Sequence, residues 1–211
     1  SVDASAFNQA GGVLSNIISL SPTPPVIDED AFKEFCESYY YNTCRPILIV
    51  PTDSKERYSQ APGWSCFSLI CESSLVDTSF KKVSANGYEY DLIAGIGRIK
   101  SLPWAVERLM IPEILEIEGL TYDIVTVEVP LGSTQLSGIE RKIKYLRIPA
   151  NIKTVGFDCF ADCHDLKVVD IAEGVEQLEF CAFGDCSNLE ILHLPSSISY
   201  IGENCFQSCN N

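Results

Sequence analysis

The sequence predicts a β-rich solenoid, with short strands stacked coil upon coil and irregular or short helical returns between them. Three observations predict it. An apolar pattern of 23 residues recurs almost three times without a gap between Ile143 and Cys209. Each copy contains a segment of period-two alternation, the spacing of a strand with one buried face. The 211 residues are 46% hydrophobic and 21% charged, enough apolar material to fill a core and too much for a disordered chain.

Charge and run length narrow the function classes. There are 15 basic and 29 acidic residues, a net charge of −14. A nucleic-acid surface must offer Lys and Arg to phosphates, and an anionic bilayer asks for the same, so neither partner is expected. No apolar run approaches the roughly 18–20 residues of a membrane-spanning helix, so membrane insertion is not expected.

The repeat appears on sliding the chain by 23 residues. Ile148-Pro149 falls on Ile171-Ala172 and Leu194-Pro195, and Ile152 on Val175 and Ile198. Val155 falls on Leu178 and Ile201, Phe160 on Phe183 and Phe206, and Cys163 on Cys186 and Cys209. Ahead of these stand Ile143, Leu146 and Ile148, then Leu166, Val169 and Ile171, then Leu189, Leu192 and Leu194. The L-x-x-L-x-I segment makes the strand, with these side chains inward. The following Pro cannot donate to a ladder and ends it. The I-x-x-I and A/C-F-x-x-C positions turn the chain back and fill the interior from the other side. One coil cannot bury its own faces, but stacked neighbours bury a continuous core.

Residues 143–211, read as three such units, resemble the BspA-like leucine-rich repeat family, whose repeats run I-P-x-x-V-x-x-I-G-x-x-A-F-x-x-C-x-x-L. Ile201-Gly202 and Cys205-Phe206-x-x-Cys209 carry the match in the last copy. Cys159 and Cys205 depart from the Ala before Phe, and Phe157 sits beside the loop glycine. The resemblance implies a leucine-rich repeat solenoid of the right-handed β-α superhelix type.

It also organises the rest of the chain. Residues 1–70 resemble the closing end of such an array. Ala6-Phe7 and Ala31-Phe32 flank Pro24-Pro25, and Ile47–Pro51 and Tyr58-x-x-Ala61-x-Gly63-Trp64-x-x-Phe67 follow. The Tyr58-to-Trp64 stretch is expected to be a short helix that folds Tyr58, Trp64 and Phe67 over the last coil. Residues 71–87, with Ser74, Ser79, Ser84, Asn86 and Gly87, read as a linker. Residues 88–142 read as a β-rich entry cap followed by a degenerate coil over 128–142 that lacks Ala-Phe-x-x-Cys. The chain then reads as the end of one array and the start of another, with the expectation that it is either trimmed at its ends or a fragment of a longer protein. Self-association through exposed array ends follows as an expectation.

Ten cysteines invite a catalytic or metal reading. Cys163 stands beside His164, with His193 further on, and an activated thiolate needs such a base. But Cys163 recurs as Cys186 and Cys209, and a residue written every 23 positions serves the coil. Cys159-x3-Cys163-His164 and Cys205-x3-Cys209 look loosely like zinc ligands, yet each pair falls within one coil, where free Cys packs as a small hydrophobe. Cys36, Cys44, Cys66, Cys71 and Cys181 lie off that phase. Cys36–Cys44 and Cys66–Cys71 are candidate short-loop disulfides in an oxidising setting, although four cysteines allow three pairings. Asp28-Glu29-Asp30 lacks a calcium-loop pattern, Gly95-Ile-Gly97 lacks the third glycine of a dinucleotide loop, and no G-x-S-x-G or phosphate loop is present. No catalytic residue, cofactor or metal is assigned.

The outward strand positions remain: Tyr145 and Arg147, Val168 and Asp170, Ile191 and His193. Their mixture of aromatic, aliphatic and charged groups suits a protein or glycan ligand, although an ordinary solvated sheet face would look the same. Arg141, Lys142, Lys144 and Arg147 crowd the first coil, and acids predominate afterwards. The resemblance implies a non-catalytic binding or adhesion module of a bacterial cell-surface or secreted protein. A scaffold or accessory region of a longer enzyme, or an unrecognised hydrolase, is the alternative.

Overall fold

The computed structural model describes residues 15–33, 36, 46–74, 77–129 and 141–210. The chain divides into two units, Ser1–Ser79 and Phe80–Asn211. Strands dominate both.

Among its described residues, the first unit holds a three-stranded parallel sheet and a helix that follows the second strand. Its strands are β1 (Asn16–Ile18), β2 (Ile47–Pro51) and β3 (Leu69–Ser73), in the order β1-β2-β3. Strand β2 reads Ile-Leu-Ile-Val-Pro, with its first four residues fully buried. That unbroken β-branched and aliphatic run is what a strand covered on both faces requires. Pro51 closes it, and the chain enters helix α1 (Lys55–Gln60). The helix expected over Tyr58–Trp64 lies earlier, at Lys55–Gln60, with Trp64 in the turns that follow, and the aromatic residues gather beside it. Tyr58 is fully buried and donates its hydroxyl to the Ser21 carbonyl at 2.9 Å. Trp64 Nε1 donates to the Pro25 carbonyl at 2.9 Å. Phe32 stands 5.0 Å from the Trp64 ring and 5.2 Å from Phe67. Gly63 makes the turn with φ +78°, where a Cβ would lie 2.5 Å from the Asp28 carbonyl oxygen. Ala6-Phe7 lies outside the described residues.

Within residues 71–87, expected as a linker, 71–73 and 81–85 are strand, and the division between the two units falls at Ser79/Phe80. Cys71–Ser73 completes β3, and β4 (Lys81–Ala85) opens the second unit. The polar composition belongs to a hairpin turn. Asn86 and Gly87 both have positive φ, 53° and 82°, which fits the two-residue loop that matches strand twist. Strand β4 pairs antiparallel with β5 (Tyr88–Ile93), and β5 with β6 (Ile96–Ser101) across Ala94-Gly95. Glu118-Gly119 makes a third such turn, between β8 (Ile114–Ile117) and β9 (Leu120–Val127). All three loops are X-Gly, because only Gly takes the second left-handed position without strain. Gly95 therefore serves a hairpin.

From β9 onward the pairing becomes parallel and follows the 23-residue repeat. One sheet runs β7 (Arg108–Met110), β10 (Tyr145–Ile148), β12 (Val168–Ile171) and β14 (Ile191–His193). The register sets Tyr145 against Val168 and Val168 against Ile191. The other sheet continues from β9 through β11 (Thr154–Val155), β13 (Gln177–Leu178) and β15 (Tyr200–Ile201). Between the sheets Ile143, Leu146, Ile148, Ile152, Val155 and Phe160 are fully buried, as are Leu166, Val169, Val175, Leu178 and Phe183 one coil later.

The returns after the second strand are turns. Among the described residues, none from 80 to 210 is helical, so the α part of the expected β-α type is not seen. The reason lies in the backbone. Asp158, Cys181 and Asn204 occupy one left-handed position of the repeat, and Asp162, Asp185 and Ser208 a second. Two left-handed residues per return break a helix. They turn alternate N–H groups toward the next coil instead: Phe160 donates to the Ala182 carbonyl at 2.8 Å and Phe183 to Cys205 at 2.9 Å. The degenerate coil over 128–142 falls mostly on 130–140, outside the described residues.

Candidate ligand face

The alternation of β10, β12 and β14 sends every second side chain out of the core. Parallel register then aligns those residues in columns. Arg108, Tyr145, Val168 and Ile191 form one column, and Met110, Arg147, Asp170 and His193 form the other. All six residues expected from the sequence share this face. Arg108 and Met110 extend it by one strand and were missed, because β7 precedes β10 by a longer interval than the repeat. A signal was available: Leu109-Met110-Ile111-Pro112 matches Leu146-Arg147-Ile148-Pro149.

Asp170 is the centre of the face. Its carboxylate accepts a hydrogen bond from the Tyr145 hydroxyl at 3.3 Å and forms an ion pair with Arg147. His193 Nδ1 stands 3.8 Å from its other oxygen. The Arg108 guanidinium lies 3.9 Å from the centre of the Tyr145 ring, within cation–π range. Met110 and Ile191 are each 46% exposed and give the face an apolar component at two opposite corners. The side chains of Arg147 and His193 also reach solvent.

The uneven charge of the sequence is resolved coil by coil. Lys144 pairs with Glu107 at 2.7 Å and Lys167 with Glu190 at 2.8 Å, both in solvent. The hydrogen bond donated by Lys144 lowers the Glu107 pKa, and the one Lys167 donates to Glu190 raises the Lys167 pKa. Lys153 lies 3.9 Å from Glu176. The basic residues of one coil therefore face the acids of its neighbour. In water such pairs add little stability, but they fix side-chain positions around the face.

The in-phase cysteines lie behind it. Cys163 and Cys186 are fully buried, and Cys186 Sγ donates to the Phe160 carbonyl at 3.3 Å. Cys209 repeats that bond to Phe183 at 3.3 Å. Burial pushes the Cys163 and Cys159 thiols up to about 12, the reverse of what a nucleophile needs. His164 is not paired with Cys163, since its Nδ1 contacts the Asp185 carbonyl at 2.9 Å. Among the described residues no group of three or more His, Cys, Asp or Glu side chains could hold a metal ion.

Residues 136–211 match the family model described as "BspA type Leucine rich repeat region (6 copies)". The repeat block is a BspA-type leucine-rich repeat region. Solved structures with similarity to the chain include leucine-rich repeat proteins from Bacteroides capillosus and Bacteroides ovatus and a leucine rich cell surface protein from Faecalibacterium prausnitzii. The first is 16% identical, with 58% of this chain and 98% of that one covered and a TM-score of 0.42. The second is 20% identical, covering 63% and 32% with a TM-score of 0.43. The third is 15% identical, covering 62% and 53% with a TM-score of 0.41. The chain thus spans about a third of the second protein and half of the third. No curated protein matches. Among the described residues, no helix is long and apolar enough to cross a membrane.

Proposed function

We propose that the BspA-type block is a solenoid serving as a non-catalytic binding or adhesion module of a bacterial cell-surface or secreted protein. Its ligand is a protein or glycan met on the outward face of β7, β10, β12 and β14. The observation that supports this reading is the two-column face itself. Arg108, Tyr145, Arg147, Asp170 and His193 are held in one network, rimmed by exposed Met110 and Ile191. A rigid sheet presents them without an ordering penalty at the moment of binding. Aromatic and Arg side chains together are the composition of interaction hot spots. The family resemblance supports the cell-surface setting.

The test is a binding array of matrix proteins and glycans, followed by Tyr145, Arg147, Asp170 and His193 changed together to Ala. The variant is expected to keep its circular-dichroism spectrum and to lose about tenfold or more in affinity for any ligand found. Unchanged affinity would move the site off this face.

A further inference from the structure

We propose that Cys36 and Cys66 form a disulfide site that cross-links the first unit across its aromatic core. Their Sγ atoms stand 2.7 Å apart although the residues lie 30 positions apart in the sequence. Packing brings them there. The Cys36 N–H donates to the Phe32 carbonyl at 2.8 Å, so Cys36 sits one turn beyond Phe32. Cys66 lies between Trp64 and Phe67, the two rings that Phe32 touches at 5.0 and 5.2 Å. The contacts that fill this core therefore present the two sulfurs to each other. Both cysteines are half-buried, which leaves a path for a small reagent, unlike the fully buried Cys163 and Cys186. The pair differs from the Cys36–Cys44 and Cys66–Cys71 pairs expected from short spacing.

The chemistry is thiol–disulfide exchange with a low-molecular-weight disulfide such as oxidised glutathione. One thiolate attacks that disulfide, forming a mixed disulfide and releasing one small thiol. The second cysteine thiolate then displaces the second small thiol and closes the Cys36–Cys66 bond. Two protein thiols are oxidised, one small disulfide is reduced to two thiols, and the two protons leave with them. The cross-link removes unfolded conformations from a loop of about 30 residues.

The protein is incubated with oxidised glutathione, blocked with iodoacetamide and cut after glutamate and aromatic residues, which separates Cys36, Cys44, Cys66 and Cys71. Mass spectrometry without reduction is expected to show a Cys36–Cys66 linked peptide that disappears with reductant. Reduction should lower the unfolding midpoint of the first unit by about 5 °C or more. C36S and C66S should each abolish the linked peptide and the sensitivity to reductant, and the double variant should match either single one. Alkylation of both thiols after the oxidising incubation would overturn the proposal, as would linked peptides joining Cys36 to Cys44 or Cys66 to Cys71.

Discussion

In the first unit Phe32 meets Trp64 at 51° and Tyr58 meets Trp64 at 83°, whereas in the repeat block Phe160, Phe183 and Phe206 are stacked at 11° and 3°. Both sets fill the space beside parallel strands. Aromatic rings left to themselves prefer edge-to-face or offset arrangements. The cap residues occur once each, so their rings can take those angles. The repeat residues are copied by translation, so each ring inherits the orientation of the one before it. The phenylalanine ladder, with centroids 5.4 Å apart, is imposed by the backbone repeat.

The comparison sharpens most at Phe183, which is fully buried with a ring on either side. Phe183→Ala should destabilise by about 3–5 kcal/mol in urea denaturation. Phe206→Ala, half-buried with one stacked neighbour, should lose about 1–2 kcal/mol. Equal losses would show that the ladder does not act through its neighbours. Trp64→Ala should cost about 3 kcal/mol in the first unit, because ring packing and the Pro25 bond are lost together.

Smaller effects come from the left-handed column. Burial pushes the Asp158 carboxyl from 3.8 up to about 6. The folded state then holds this proton more tightly than the unfolded chain. The group's contribution to stability therefore falls as pH rises from about 4 to about 6, and its full penalty is present at pH 7. Asp158→Asn should gain about 1 kcal/mol at pH 7 and flatten that slope, as denaturation at pH 4 and pH 7 would reveal. Cys181 occupies the same position with φ 52°. Asn tolerates that conformation better, so Cys181→Asn should raise stability by about 0.5 kcal/mol, measured by thermal melting. A loss there would mean that the Cys181 thiol packs better than its backbone suggests.

These residues show what the sequence could carry. The 23-residue phase was enough to place Tyr145, Val168 and Ile191 in register and Phe160, Phe183 and Cys186 in the core, because translation along the chain is translation in space. The phase of Cys181 was equally visible, but a cysteine does not advertise a left-handed turn as Asp158 and Asn204 do. Asn86-Gly87 is polar like a linker, but an Asn-Gly pair between Val83 and the Tyr88-x-Tyr90 alternation is a hairpin signal. Arg108 and Met110 stayed hidden because their strand stands outside the repeat interval. The Cys36–Cys66 approach depends on Phe32 and Trp64 meeting across the cap, which no local pattern states.

Side-chain contacts between successive coils span a fixed length of chain. Lys167 and Glu190 are separated by 23 residues, as are Thr154 and Gln177. Lys144 and Glu107, at the junction with β7, are separated by 37. Loop-closure entropy rises only with the logarithm of length, so the longer closure costs about 0.4 kcal/mol more than each of the others. Every later coil closes a loop of one fixed size against its predecessor. Lengthening the array therefore adds loops of constant entropy cost, and an insertion within one return burdens a single closure and leaves the next unchanged.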